Sequence, residues 1–323
     1  MAARRTRPGR GAGQGLILDL YGLYIRRLGG WLAVSDLVSL AGRLGADDQA
    51  VRSAVSRMVR GGLLAPERRG SCRGYGLTAI ADRLLEEADR RISSAVAPAE
   101  LAHGWALVSF SVPESERHKR HLLRSRLTWL GFGRLSGALW IAPTRSLPTL
   151  REVVRELGFE RYVDVFVAHY RGFGSPTALV RRSWDLERLE GHYRAFIAEH
   201  EPLLARDREH REPEACFVDY TLTVHAWRRL PHLDPGLPPE LLPPGWAGQA
   251  AADLLRTIRL RLEAPAIRYV EGTVAGTGDD PAWEPLPRAV LGSHEPPLPP
   301  RRPSGGREAG PGHLASGVPQ GAS

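Results

Sequence analysis

Gln49, Arg52, Ser53, Ser56, Arg57 and Arg60 recur three and four residues apart, the spacing that stacks side chains on one face of an α-helix. Their types suit the edges of duplex DNA. Arginine reads guanine bidentately, glutamine reads adenine in the same way, and serines let the helix backbone come close while offering hydroxyls to bases or phosphates. Ala50, Val51, Ala54, Val55, Met58 and Val59 fill the opposite face. Such a helix would pack one side on its own domain and insert the other in a major groove; an amphipathic helix with a merely solvated polar face is the competing reading. Gln49, Arg52, Ser53, Ser56 and Arg57 are the expected base contacts. Arg60, with Arg68, Arg69 and Arg73 just downstream, is expected at phosphates.

The elements that must position this face follow from periodicity and turn chemistry. Leu16, Ile17, Leu20, Leu23 and Tyr24 give a first helix ending near Gly29 and Gly30, and a second begins after Ser35, an N-cap type, and stops at Gly45. Gly45 and Ala46 form a short turn, Asp47 and Asp48 cap the third helix, and Gly61 and Gly62 end it. Leu63 to Arg69 and Arg73 to Thr78 then read as two strands joined by Gly70, Ser71 and Cys72, a basic hairpin or wing. Thr78 caps a closing helix from Ala79 to about Ile92 that carries Leu84, Leu85 and Ala88. The order defines a winged helix-turn-helix over residues 15–95, preceded by an Arg- and Gly-rich arm, 1–14, expected to be disordered.

Charge supports this placement. The formal charge of the 323-residue chain is +8, and up to Ala95 there are 16 Arg against 9 Asp or Glu, a surplus of 7. A concentrated positive field is what a polyanion-binding module needs. Arginine bias is a rival explanation, since Lys119 is the sole lysine. The two cysteines, Cys72 and Cys216, are far apart and form no CxxC, so neither a disulfide framework nor a zinc ribbon is expected and a reducing compartment fits. Asp19 interrupts the apolar stretch from Leu16 to Ile25, which argues against a signal peptide, and no apolar run approaches a bilayer span. A cytoplasmic protein without membrane attachment is expected.

Residues 99–172 alternate between strand and helix patterns: Trp105 to Val112, Ser115 to Leu130, Phe132 to Ala142, Leu147 to Leu157, and Tyr162 to Ala168. The order reads as a ferredoxin-like βαββαβ unit with an antiparallel sheet and two helices on one face. The small CRISPR adaptation nucleases use a similar fold with a catalytic acid at the end of the first strand. Here that position reads Ser109, Phe110, Ser111, Val112, Pro113, with Glu114 only beyond the proline. His118 and His121 lack an additional ligand nearby in sequence, so no metal, cofactor or catalytic residue is expected. A metal-dependent nucleic-acid hydrolase is the alternative to a regulator. Arg117, Arg120 and Arg124, with Lys119, form a basic helix suited to an anionic effector.

Residues 177–272 are mainly helical, with Leu186, Leu189, Tyr193, Phe196 and Ile197 on one helix and Cys216, Phe217, Tyr220, Val224 and Trp227 on another. The proline-rich run from Pro231 to Gly248 follows, its fixed φ angles favouring one defined path. His225, Trp227 and Arg228 form a second candidate effector cluster, with core packing or a dimer contact as the other reading. A Pro- and Gly-rich tail, 273–323, is expected to be disordered. The fold class is α+β.

Four ordered motifs carry a family resemblance: AVRSAVSRMVRGGLL (Ala50 to Leu64), WLGFGRLSGALWIAP (Trp129 to Pro143), SWDL (Ser183 to Leu186) and VHAWRRLPHLDPGLPPELLPPGW (Val224 to Trp246). The chain resembles the PaaX-like repressors, named for the regulator of phenylacetate degradation. The resemblance implies a homodimeric transcriptional repressor that binds a double-stranded DNA operator through its winged helix. It also implies a ferredoxin-like middle domain and a helical C-terminal domain. The family's best-known member releases its operator on binding an aryl-acyl-CoA thioester, so an acyl-CoA is the effector that the resemblance implies.

Overall fold

A computed structural model describes residues 13–94, 99–205 and 211–275. The basic arm Arg4 to Arg10 and the tail beyond residue 275 lie outside these residues. The chain is a mixed helix and sheet protein with two antiparallel sheets and a helical C-terminal region.

The first segment runs α1 (Gly13–Leu23), β1 (Trp31–Ala33), α2 (Val34–Arg43), α3 (Asp48–Arg60), β2 (Leu64–Arg69), β3 (Cys72–Leu77) and α4 (Ala79–Ser94). Helix α1 begins at Gly13, so the last two residues of the expected arm are helical. Gly45, at φ +87°, makes the left-handed turn that releases the chain from α2. Asp47 then caps α3, its carboxylate accepting from Ala50 N at 2.7 Å. The sheet order β1-β3-β2 was only partly foreseen. The sequence pattern marks no strand before α2 and puts the cap of that helix at Ser35, whereas Trp31–Ala33 pairs with β3 and α2 already starts at Val34. In the β2–β3 hairpin Arg69 pairs with Cys72, leaving Gly70 (φ +55°) and Ser71 as the turn. Thr78 caps α4 by accepting from Ala81 N. Leu85 is buried there, but Leu84 is 53% exposed and does not close the domain as expected.

The middle segment runs β4 (Trp105–Phe110), α5 (Arg117–Trp129), β5 (Gly133–Ser136), β6 (Leu139–Pro143), α6 (Leu147–Glu156) and β7 (Val163–Ala168). Its antiparallel sheet has the order β5-β6-β4-β7. Alternation along β4 divides its neighbours between two cores. Ala106, Val108 and Phe110 pack with Leu123 and Leu127 of α5 and Leu150 and Val154 of α6, so both helices cover one face. Trp105 and, from β6, Ile141 point to the other face.

That second face is covered by the C-terminal region: α7 (Pro176–Ser183), α8 (Leu186–His200), α9 (Pro213–Trp227), the short α10 (Leu230–Leu233) and α11 (Ala247–Ala275). Leu179 and Val180 of α7, with Leu237 and Leu241 of the proline-rich run, pack on Trp105 and Ile141. The run is therefore pressed against the middle sheet along a defined path. Leu254, Ile258, Leu262, Ala266 and Val270 recur every four residues along α11 and are all buried.

The first and third segments share one hydrophobic core. Leu16, Ile17, Leu20, Tyr21 and Tyr24 of the first segment cluster with Phe217, Tyr220 and Val224 of α9 and with α11. Tyr24 contributes a ring contact with Phe217 at 5.6 Å and a hydroxyl 2.8 Å from Thr221 Oγ1. Burying these large side chains on both partners is worth about 1.5–3 kcal/mol each, far more than a linker contact. Among the described residues no helix is long and apolar enough to cross a membrane.

Candidate nucleic-acid interface

Helix α3 has two sharply different sides. Val51, Ala54, Val55 and Met58 are buried, anchoring it on the shared core. Gln49, Arg52, Ser53, Ser56, Arg57 and Arg60 are all exposed. None of these arginines forms a salt bridge among the described residues, so their guanidinium donors are available to an anion. Close approach of α1 steadies the helix from behind: a Cβ on Gly13 would stand 3.2 Å from Ala54 Cβ.

The hairpin arginines differ in use. Arg68 is exposed and donates to Gly70 O within the turn. Arg73 is exposed beside it. Arg69 is turned inward, pairing with Glu67 at 2.9 Å and lying 5.0 Å over the Trp31 ring. A phosphate would have to compete with both contacts for it. Trp31 carries no signal in the sequence because its role depends on a strand pairing that only the fold reveals.

The candidate effector arginines on α5 are not equivalent either. Arg117 and Arg124 are exposed. Arg120 folds back, donating to Val112 O at 2.8 Å and pairing with Glu114. At the helix start Glu116 accepts from Tyr162 and Lys119; these hydrogen bonds, Tyr162 first, hold its carboxyl below the usual range. His118 and His121 are exposed, and among the described residues no group of three or more His, Cys, Asp or Glu is placed to hold a metal.

The second candidate effector cluster sits between segments. Trp227 is buried, 2% exposed, packed on Phe196 and Tyr193. His225 and Arg228 both reach Asp19 on α1, whose side chain is 1% exposed; His225 Nδ1 is 2.6 Å from Asp19 Oδ2, and Arg228 takes Oδ1. A buried carboxylate needs such partners, since stripping one away typically costs about 3–5 kcal/mol. Nothing in the sequence connects Asp19, which breaks the apolar pattern of α1, with these positions.

Three of the four motifs that carry the resemblance converge at another junction. Trp184 of SWDL donates its indole N–H to Gly131 O at 2.9 Å, and a Cβ on Gly133 would lie 2.6 Å from the same indole. A Cβ on Gly131 would stand 3.2 Å from Pro235 Cα. Next to Pro235, Asp234 accepts from Tyr193 at 2.5 Å and from Gly236 N at 2.6 Å. The glycines of WLGFG are thus small because a tryptophan and a proline turn press on them.

The fold and surface define an α+β protein with two antiparallel sheets, a helical C-terminal region and one exposed arginine- and serine-bearing helix. Family models place it more closely. Residues 12–81 match the model described as PaaX-like protein, 98–180 the PaaX protein central Cas2-like domain, and 184–272 the PaaX-like protein C-terminal domain. The chain is 31% identical over 278 residues to the transcriptional repressor PaaX of Escherichia coli (strain K12), covering 84% of this chain and 87% of that protein. The chain belongs to the PaaX-like family. A solved structure of an uncharacterized protein from Mycobacterium tuberculosis shares the fold, with a TM-score of 0.57 and 19% identity over 81% of this chain and 98% of that one.

Proposed function

We propose that this protein is a sequence-specific DNA-binding transcriptional repressor whose reading head is a winged helix-turn-helix. The observation that carries the proposal is α3: an Asp47-capped helix with a buried apolar side and Gln49, Arg52, Ser53, Ser56, Arg57 and Arg60 turned outward. Helix α2, the Gly45 turn and α3 form the helix-turn-helix, and the β2–β3 hairpin is the wing. Helix α3 lies in the major groove, and Arg68 and Arg73 take phosphates. Arg69 joins them only by giving up Glu67. The name of the E. coli relative supports repression as the sign of control.

The middle segment is ferredoxin-like, a reading supported by its strand order β5-β6-β4-β7 and by both helices lying on one face. The repressor acts as a homodimer on two half-sites a whole number of DNA turns apart. An aryl-acyl-CoA thioester releases it, with the exposed Arg117 and Arg124 offering charge to the effector's phosphates. A ligand controls such an equilibrium only through unequal affinity for the DNA-competent and DNA-incompetent states.

Selection of preferred sites from random duplex DNA, with and without an aryl-acyl-CoA, tests this reading. Enrichment of a paired motif that the thioester abolishes is expected. No enriched motif, or cleavage of the DNA in magnesium instead of a mobility shift, would overturn it.

A further inference from the structure

We propose that Asp19 is a positioning residue: through α1 it sets the orientation of the DNA-facing helix α3 by the C-terminal helix α9. The inference deepens the DNA-reading proposal and rests on it for its functional consequence. Helix α1 touches α9 on one side and α3 on the other. Toward α9, the Asp19 carboxylate holds His225 and Arg228, and a Cβ on Gly15 would already be in contact with His225 Cε1 at 3.4 Å. A carboxylate only accepts, so His225 of α9 and Arg228 at the cap of that helix both donate to it. Toward α3, Gly13 meets Ala54 closely enough that an added Cβ would stand 3.2 Å from Ala54 Cβ and 3.7 Å from Ala50 O.

Those two α3 residues alternate with the outward set, Gln49, Arg52, Ser53 and Ser56. A shift of α1 along or about its axis therefore cannot leave α3 in place, because close-packed interfaces transmit displacement instead of absorbing it. Around this line the first segment and α9 also share a buried contact between two uncharged hydroxyls, Tyr24 and Thr221, while their other ion pairs are peripheral. Arg43 pairs with Glu214 and Arg27 with Glu263, both at exposed arginines, whereas Asp19 is the buried charged group joining α1 to α9. Apolar packing fixes how near the helices lie; a directional ion pair fixes their register.

The test compares wild type with Asp19→Asn, and with His225→Gln as a milder variant should Asp19→Asn fail to fold. Two readouts are used: the ratio of affinities for the selected site and for random duplex DNA, and backbone hydrogen exchange of α3 in the free protein. The specificity ratio is expected to fall by about tenfold while affinity for random DNA is retained, with faster exchange in α3. Arg228→Ala should do the same, and combining it with Asp19→Asn should add little, since both break one joint. A lower melting temperature with an unchanged specificity ratio and unchanged α3 exchange would make Asp19 a stability element only and overturn the proposal; additive losses in the double variant would do likewise. If wild type selects no site, the DNA reading fails, while the exchange measurement still decides the link between α9 and α3.

Discussion

Trp31 and Gly74 approach across the first sheet so closely that a Cβ on residue 74 would stand 2.4 Å from the Trp31 ring and 2.4 Å from Leu32 O. The Arg69 guanidinium lies over the same ring from β2. One indole thus ties together β1, at the start of α2, and both strands of the hairpin, so the arginine-bearing hairpin has a fixed orientation relative to the helix pair in front of α3.

Gly74→Ala should therefore be costly although it adds one methyl group. Half of the obstruction is a backbone carbonyl that cannot rotate away, and overpacking of this kind costs about 1–3 kcal/mol. Urea unfolding should show the midpoint moving down; an unchanged midpoint would mean that the two strands do not approach as described.

Arg57→Ala should relax preference at one base position and cost about 1–3 kcal/mol on the selected site. Arg73→Ala should weaken all sequences alike and reduce the salt slope by about 1. Titrations at several salt concentrations against selected and scrambled duplexes separate the two. Equal, sequence-independent losses would contradict the division between base and phosphate contacts.

Trp184→Phe keeps a ring over Gly133 but removes the donor to Gly131 O. Loss of that bond leaves a carbonyl without its partner, a destabilisation of about 1–3 kcal/mol. Chemical denaturation measures it, and a loss well below this range would show that the hydrogen bond adds nothing to the packing.

His200 should make stability depend on pH. Thr223 donates its single hydroxyl proton to Asp219 O, so His200 Nδ1, 3.2 Å from Thr223 Oγ1, supplies the proton of that contact. Nε2 is then the bare nitrogen, buried and without a hydrogen-bond partner. Burial holds the imidazole below its ordinary value of 6.5, with Glu199 opposing weakly. The unfolded chain therefore takes up the proton first. Stability should be constant above about pH 6.5 and fall as the pH drops below it, until the folded imidazole is also protonated. Melting temperatures between pH 5 and 7.5 should show this slope in wild type and a shallower one in His200→Gln.

The parts of the molecule legible in the sequence are those whose causes are local. Asp47 before a run of alternating apolar and polar faces, and Gly45 ahead of it, specify α3 without help from the rest of the chain. Gly70 and Ser71 mark the hairpin turn in the same way. Strand β1 was not legible, because three residues form a strand only when β3 offers them an edge. Leu84 fits the apolar period of α4 and still faces solvent, since periodicity says which residues share a side and not whether anything covers it. Asp19 reads as an interruption of an apolar helix, and His225 and Arg228 as part of a candidate effector cluster with Trp227; their partnership with Asp19 spans more than two hundred residues and no short window contains it. The exposed outward set on α3 was predictable, but the turning inward of Arg69 was not, because it depends on Trp31.

The single core shared by α1, α9 and α11 has a consequence for how the chain can be divided. A fragment ending after α4 would carry Leu16, Ile17, Leu20 and Tyr24 without their covering helices, and would be expected to clump or melt before it met any duplex. The proposed reading head is not a detachable module, and grafting it onto another protein would require α9 and α11 to travel with it.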